Sequence, residues 1–255
     1  HEDRERRALD ALAKDRGVRG VLISPEPNPL KMTSFYEPML SSYPKPLIAI
    51  NRRAGEADAD YIEYDYTQGG KLLGEHLLKL GKRRALFYGA DPRRLSWRPR
   101  LEGLLSPRRE GRGVEVVEVW PIGLGPLRAR QLSAMLKSRQ VDVIVAGDDR
   151  FAAHIYNMLM ALGARLPEDV GLAGFDDREC AQYMTPPLTT VAPPKAEAGR
   201  LAAEHILAKA RDPQHRVRLS LPCKLEARGS CAPEEVTIEA YPFERVEEEI
   251  AARLG

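Results

Sequence analysis

Short apolar runs alternate with helix-forming stretches along most of this chain, and no other feature narrows the fold as much. "GVLIS" (residues 20–24) and "PLIAI" (46–50) are continuous and apolar, as strands covered on both faces must be. "TQGGKLLGEHLLKLG" (67–81) then places Leu72, Leu73, His76, Leu77 and Leu80 on one helical face and stops at Gly81. The strand "ALFYG" (85–89) follows. After an arginine-rich helix come the strand "VEVVEVW" (114–120), a helix near 127–138 and the strand "VDVIVAG" (141–147). The helix "FAAHIYNMLMALG" (151–163) and the strand opening "GLAGFDDREC" (171–180) complete the run. Such alternation predicts parallel sheets joined by right-handed crossovers. The chain opens inside an amphipathic helix through Ala8, Leu9 and Leu12, with no strand before it, so the first sheet is expected to be N-terminally incomplete or small.

With 255 residues, the strand count favours two α/β lobes over one sheet. A content of 43% hydrophobic and 30% charged residues and a net charge of +2 is ordinary for a globular protein and gives no strong footprint for nucleic acid. No stretch approaches the ~18 apolar residues of a membrane span. The charged first twenty residues are not a signal peptide, although the sequence does not begin with Met. Three cysteines, Cys180, Cys223 and Cys231, form no C-x-x-C pair and fit a reducing compartment.

In open parallel sheets, ligands bind beyond the carboxyl ends of the strands. Polar groups reach that position in three segments: Asp148 and Asp149 after "VDVIVAG", Asp176 and Asp177 after "GLAGF", and the loop from Asp91 through Arg94, Ser96, Trp97, Arg98 and Arg100. Carboxylates accept hydroxyl donors, guanidinium groups offer a planar fork, and an aromatic ring supplies an apolar face; together they suit a polyol or heterocycle. The structural alternatives stand beside this reading. One of Asp148 and Asp149 is expected to cap the next helix while the other faces the cleft, and Asp176–Asp177 fits an Asx-turn. His76 and His205 read as core or interface residues. The sequence contains no G-x-S-x-G, no P-loop, no strand-linked G-x-G-x-x-G and no H-E-x-x-H, so no enzyme, cofactor or metal site is expected.

These residues resemble the effector-binding core of LacI/GalR-type transcriptional regulators, a periplasmic-binding-protein-like fold. The run "LPEDVGLAGFDDRECAQYMTPPLTTVAPPKAEAGRLAAEHIL" (166–207) is similar to that family's G-[FY]-D-[DN] strand end followed by P-x-L-T-T. "LEARGS" (225–230) resembles its closing V-x-R-x-S, and "SWRPRLEG" (96–103) its S-x-R-x-R-x-x-G. The resemblance implies two doubly wound parallel-sheet lobes of type I, joined by crossover hinge strands stiffened by "TPPLTTVAPP". The expected lobes are residues 1–91 plus 191–213 and 92–190 plus 214–233, with 234–255 as an appendage. It further implies a ligand site of Arg100, Asp148, Asp176, Ser96 and Arg94. Asp148 stands where many members carry Asn, which replaces a donor–acceptor by an acceptor. The implied effector is a sugar or derivative, with a purine as the lesser choice. The implied protein is a cytoplasmic homodimer that reaches DNA only through an N-terminal domain missing from this sequence. A periplasmic or extracellular sugar-binding protein is the alternative on the same fold.

Overall fold

The computed structural model describes residues 2–26, 28, 32–53, 58–91, 95–106, 113–123 and 125–232. The expected appendage at 234–255 lies outside them. The described chain begins with α1 (Glu2–Lys14), β1 (Val21–Ile23), a π-turn (Met32–Tyr36), α2 (Glu37–Ser42), β2 (Leu47–Asn51), β3 (Asp60–Asp65) and α3 (Tyr66–Lys79). It continues with β4 (Arg84–Tyr88), a 3-10 turn (Leu95–Trp97), α4 (Arg98–Leu105), β5 (Glu115–Trp120), α5 (Pro126–Lys137), β6 (Val143–Ala146) and α6 (Asp149–Ala161). It ends with β7 (Gly171–Phe175), α7 (Glu179–Gln182), β8 (Thr189–Ala192), α8 (Lys195–Arg211), β9 (Arg218–Pro222) and β10 (Lys224–Glu226).

Two sheets result, ordered β1-β2-β3-β9 and β10-β8-β7-β6-β4-β5. Every pairing is parallel except β10 with β8. The strands β2, β4, β6 and β7 are largely covered on both faces, which is why they read as unbroken apolar runs. In β4, Leu86 and Tyr88 enter one core with Ile144, Ile155 and Leu172. Ala85 and Phe87 enter the other, with Leu73, Leu77 and Leu104. The smaller sheet divides likewise, with Val21, Leu47 and Ala49 on one side and Ile48, Ile62 and Ala202 on the other.

The lobe boundaries need correction. The strand Arg84–Tyr88, expected in the first lobe, is hydrogen-bonded between β5 and β6 in the larger sheet. The strand Arg218–Pro222, expected in the second lobe, pairs with β3 in the smaller one. The chain therefore passes between the sheets after β3, after β8 and between β9 and β10. The alternating strand–helix pattern was identical on both sides of the first passage, so periodicity could not locate it. β3 and β9 were not anticipated at all, because "DYIEYD" and "RLSLP" carry too many polar residues to read as covered strands.

The three passages meet on α3. A Cβ built on Gly69 would lie 2.6 Å from Val191 Cγ1 and 3.1 Å from Cys223 Cβ, so β8 and the β9–β10 link rest directly on that helix. Gln68 accepts a hydrogen bond from the Cys223 N–H at 3.0 Å, and Asp65 caps α3 by accepting from the Gln68 N–H at 2.8 Å. At the next position, Gly70 and Gly103 bring α3 and α4 into backbone contact: a Cβ on Gly103 would overlap the Thr67 carbonyl oxygen, and one on Gly70 would overlap that of Arg100. Overpacking such a crossing costs ~1–3 kcal/mol. Gly103→Ala should lower the unfolding free energy by about that amount in denaturant titration. Gly199→Ala, whose added methyl group meets nothing within 4 Å, should instead leave stability equal or raised by up to ~1 kcal/mol.

Candidate functional site

The carboxyl ends of β2, β4, β6 and β7 open onto a cavity of about 200 Å³. Its walls include Asn51 at the end of β2 and Arg52 after it, Tyr66 at the start of α3, Gly89 and Asp91 after β4, and Ser96, Trp97 and Arg100. Gly147, Asp148, Arg150, Phe151, Asp176 and Arg178 close the far side. Of the five residues expected at the site, Ser96, Arg100, Asp148 and Asp176 come together here. Arg94 lies outside the described residues.

Asp176 and Arg100 form the centre. Asp176 Oδ1 accepts from Arg100 Nη2 at 2.9 Å and from the Tyr66 hydroxyl at 2.7 Å. The Arg100 guanidinium carbon lies 3.6 Å from the Tyr66 ring centroid and 5.5 Å from that of Phe175, and Arg100 also donates to the Ser96 carbonyl. Burial alone would raise the Asp176 carboxyl, but the Arg100 charge, the two hydrogen bonds and Arg178 outweigh it and hold the group below the ordinary carboxylate range. Asp176 has φ +96 and Asp177 φ +42, left-handed conformations that cost free energy in non-glycine residues. Two anchors hold them: Asp176 N–H donates to the Val191 carbonyl of β8 at 2.8 Å, and Arg228 pairs with Asp177 at 2.8 Å. Arg228 belongs to the "ARGS" motif, whose Ser230 hydroxyl accepts from Thr189 N–H at 2.8 Å and donates to the Leu172 carbonyl. The two most specific sequence motifs thus clamp one another and aim Asp176.

Asp148 and Asp149 divide their work differently from the expectation. Asp148 both caps α6, accepting from Arg150 N–H at 2.8 Å, and faces the cavity. It also holds the Arg150 side chain at 2.9 Å, with Arg178 Nε at 3.4 Å. Asp149 has no exposed surface; it accepts from the Thr190 hydroxyl at 2.7 Å and from Arg178 N–H at 2.8 Å. Its Oδ1 occupies the space that a side chain at position 174 would need, which explains the glycine in "GLAGF". The Asp149 carboxyl is pushed up to about 7, first by burial and then by Asp176 and Asp148, against the two hydrogen bonds that pull it down.

Sequence reasoning missed Tyr66, Arg52, Phe151 and Arg178. Arg52 was findable, since it follows β2 just as Asp148 follows β6. Phe151, at the start of the helix 151–163, forms a cavity wall because Gly89, at φ +103, leaves room for its ring. Among the described residues there is no group of three or more His, Cys, Asp or Glu placed to hold a metal ion.

Three comparisons bear on this geometry. Residues 75–231 match the family described as "Periplasmic binding protein-like domain". The chain is 30% identical over 239 residues to the ribose operon repressor of Escherichia coli strain K12, covering 90% of this chain and 69% of the relative. A crystal structure of a LacI family transcriptional regulator from Enterococcus faecium, with bound ribose, is 28% identical, with a TM-score of 0.70 over 88% of this chain and 84% of that one. The lac repressor dimer bound to operator and an anti-inducer, at 18% identity and a TM-score of 0.73 over 91% of this chain and 69% of that one, shares the fold.

A carboxyl group raised from 3.8 to about 7 in the folded state contributes stability that is fully present below pH 3.8 and is lost as pH rises to about 7. Asn at position 149 can accept from Arg178 N–H and donate to Thr190 without titrating. Asp149→Asn should therefore lose less stability than the wild type between pH 4 and 7, read as a flatter difference in melting temperature across that window.

Proposed function

From the chain's membership of the LacI family, as its periplasmic binding protein-like effector domain, we propose that the cavity between the two sheets binds a small sugar and passes that event to a DNA-binding segment. The relatives compared above are transcriptional regulators rather than enzymes. The observation that carries the reading is the convergence of Arg100, Asp148 and Asp176 beside the rings of Trp97 and Phe151 in one cavity. Guanidinium and carboxylate groups pair with ring hydroxyls, and aromatic faces cover the apolar side of a pyranose or furanose. A volume of about 200 Å³ lies below the ~300 Å³ at which pockets for drug-sized ligands begin, which favours a single ring over a disaccharide.

Transmission follows from how the ligand groups are mounted. Asp176 is tied to β8, Arg100 to α4, and Arg52 to the end of β2 in the other sheet. A sugar bridging them favours one arrangement of the sheets over another by the difference in its affinity for the two. The relatives make a cytoplasmic homodimer on DNA the natural setting, with ribose the first sugar to try. Among the described residues no helix is long and apolar enough to cross a membrane.

Thermal unfolding with D-ribose and a panel of other monosaccharides tests the reading. A sugar that binds raises the melting temperature with its concentration, by the equivalent of ~2.7 kcal/mol at a hundredfold excess over Kd. Removing either partner of the buried Arg100–Asp176 pair alone would cost ~3–5 kcal/mol. The informative variant is therefore the double Arg100→Met, Asp176→Asn, expected to stay folded and to lose the ligand-dependent rise. A wild-type melting temperature unmoved by every sugar, neutral or charged, would reject the cavity as the site.

A further inference from the structure

Resting on that reading of the cavity, we infer that its ligand carries a negative charge, and that the fitting class is a monosaccharide bearing a phosphate or a carboxylate. Among the described residues, the charged groups lining the cavity are four guanidinium groups, Arg52, Arg100, Arg150 and Arg178, and three carboxylates, Asp91, Asp148 and Asp176. Three of the cations have carboxylate partners: Arg100 pairs with Asp176 at 2.9 Å, Arg150 with Asp148 at 2.9 Å, and Arg178 lies 3.4 Å from Asp148 and 3.7 Å from Asp176. Arg52 is different. Its Nη1 donates to the Pro25 carbonyl at 2.5 Å, and among the described residues no carboxylate pairs with it. Its pKa is lowered, chiefly by burial and next by repulsion from the Arg100 charge, and the weaker attraction of Asp176 does not make up the difference.

Hydrogen-bond supply points the same way. Among the described residues, the buried Nε of Arg100 has no hydrogen-bond partner and the buried Nε of Arg178 meets only Asp148 at 3.4 Å, too loosely for a hydrogen bond, while Oδ1 of Asp176 already accepts twice. With five N–H donors on each guanidinium and about four acceptor sites on each carboxylate, the cavity lining carries more donors than acceptors. Each hydroxyl of a neutral sugar brings a donor along with its lone pairs, whereas a phosphate monoester or carboxylate brings acceptors and charge together. A guanidinium takes either group through two parallel N–H···O bonds, roughly twice as strong as neutral ones. Arg52, at the end of β2, would then receive the anionic substituent while Asp148, Asp176 and Arg100 hold the ring.

Isothermal titration of the purified chain with matched pairs tests this: D-ribose against D-ribose 5-phosphate, and D-glucose against D-glucose 6-phosphate and D-glucuronate. The expected result is that at least one charged sugar binds about tenfold or more tightly than its neutral parent. That preference should shrink at high salt and separate phosphate from carboxylate. Arg52→Met should bring the ratio close to one, and Arg52→Lys should keep part of it; unliganded melting curves confirm that both variants fold. Neutral sugars binding as tightly as their charged counterparts would overturn the inference and leave the cavity standing as a sugar site. A charged preference undiminished in Arg52→Met would overturn it too. Binding of no sugar at all would bring down the cavity reading and this inference with it.

Discussion

A buried ion pair organises this molecule. Arg100 and Asp176 lie 76 residues apart in sequence, yet their side chains are 6% and 14% exposed and meet at 2.9 Å. Taking both charges out of water is costly, and attraction offsets the cost only if the remaining valences are filled. Tyr66 fills one by its hydroxyl and covers the guanidinium with its ring; Phe175 and the Ser96 carbonyl supply more. The pair therefore requires α3, α4 and β7 to be in fixed register before it can exist, and the cavity is the space left in front of it.

Close backbone contact provides that register. Gly70 and Gly103 let α3 and α4 touch, which fixes the distance of Arg100 from Tyr66, while Gly69 lets β8 and the β9–β10 link lie on α3. Because the same helix carries the crossing between sheets and the ring beneath Arg100, the cavity-lining groups and the crossover segments form one connected unit. The second clamp, Arg228 with Asp177 and Ser230 with Thr189 and Leu172, ties β7 to β8 from the other side. Interior packing that dense moves between discrete arrangements rather than deforming smoothly, which suits a sensor built from two sheets.

Much of the site could be read in the sequence by a single rule, that polar residues at the carboxyl ends of apolar strands face the ligand crevice. It pointed to Asp148 and Asp176, and the motif around Gly103 to Arg100, and all three line the cavity. It failed for Tyr66, whose ring reads as one more apolar residue of a helix, and for Phe151, which reads as core. It was also blind to the difference between adjacent carboxylates. Asp148 faces the cavity and Asp149 sits against Gly174 because the first is the extended N-cap and the second begins α6, so their side chains leave in different directions, and that orientation depends on where β7 and Thr190 lie.

The amino-acid sequence alone determined the α/β alternation, the covered character of most strands, the family resemblance and the carboxylate–guanidinium chemistry, because each is a local pattern of spacing and residue type. Tertiary structure alone decided which sheet each strand joins, where the chain crosses between them, and which charges end up paired. Strand partnership is settled by hydrogen bonds between segments far apart in the chain, as when β9 pairs with β3 across some 150 residues. Charge balance in the cavity is settled in the same way: among the described residues, Arg52 differs from the other cavity arginines in hydrogen-bonding a backbone carbonyl and no carboxylate.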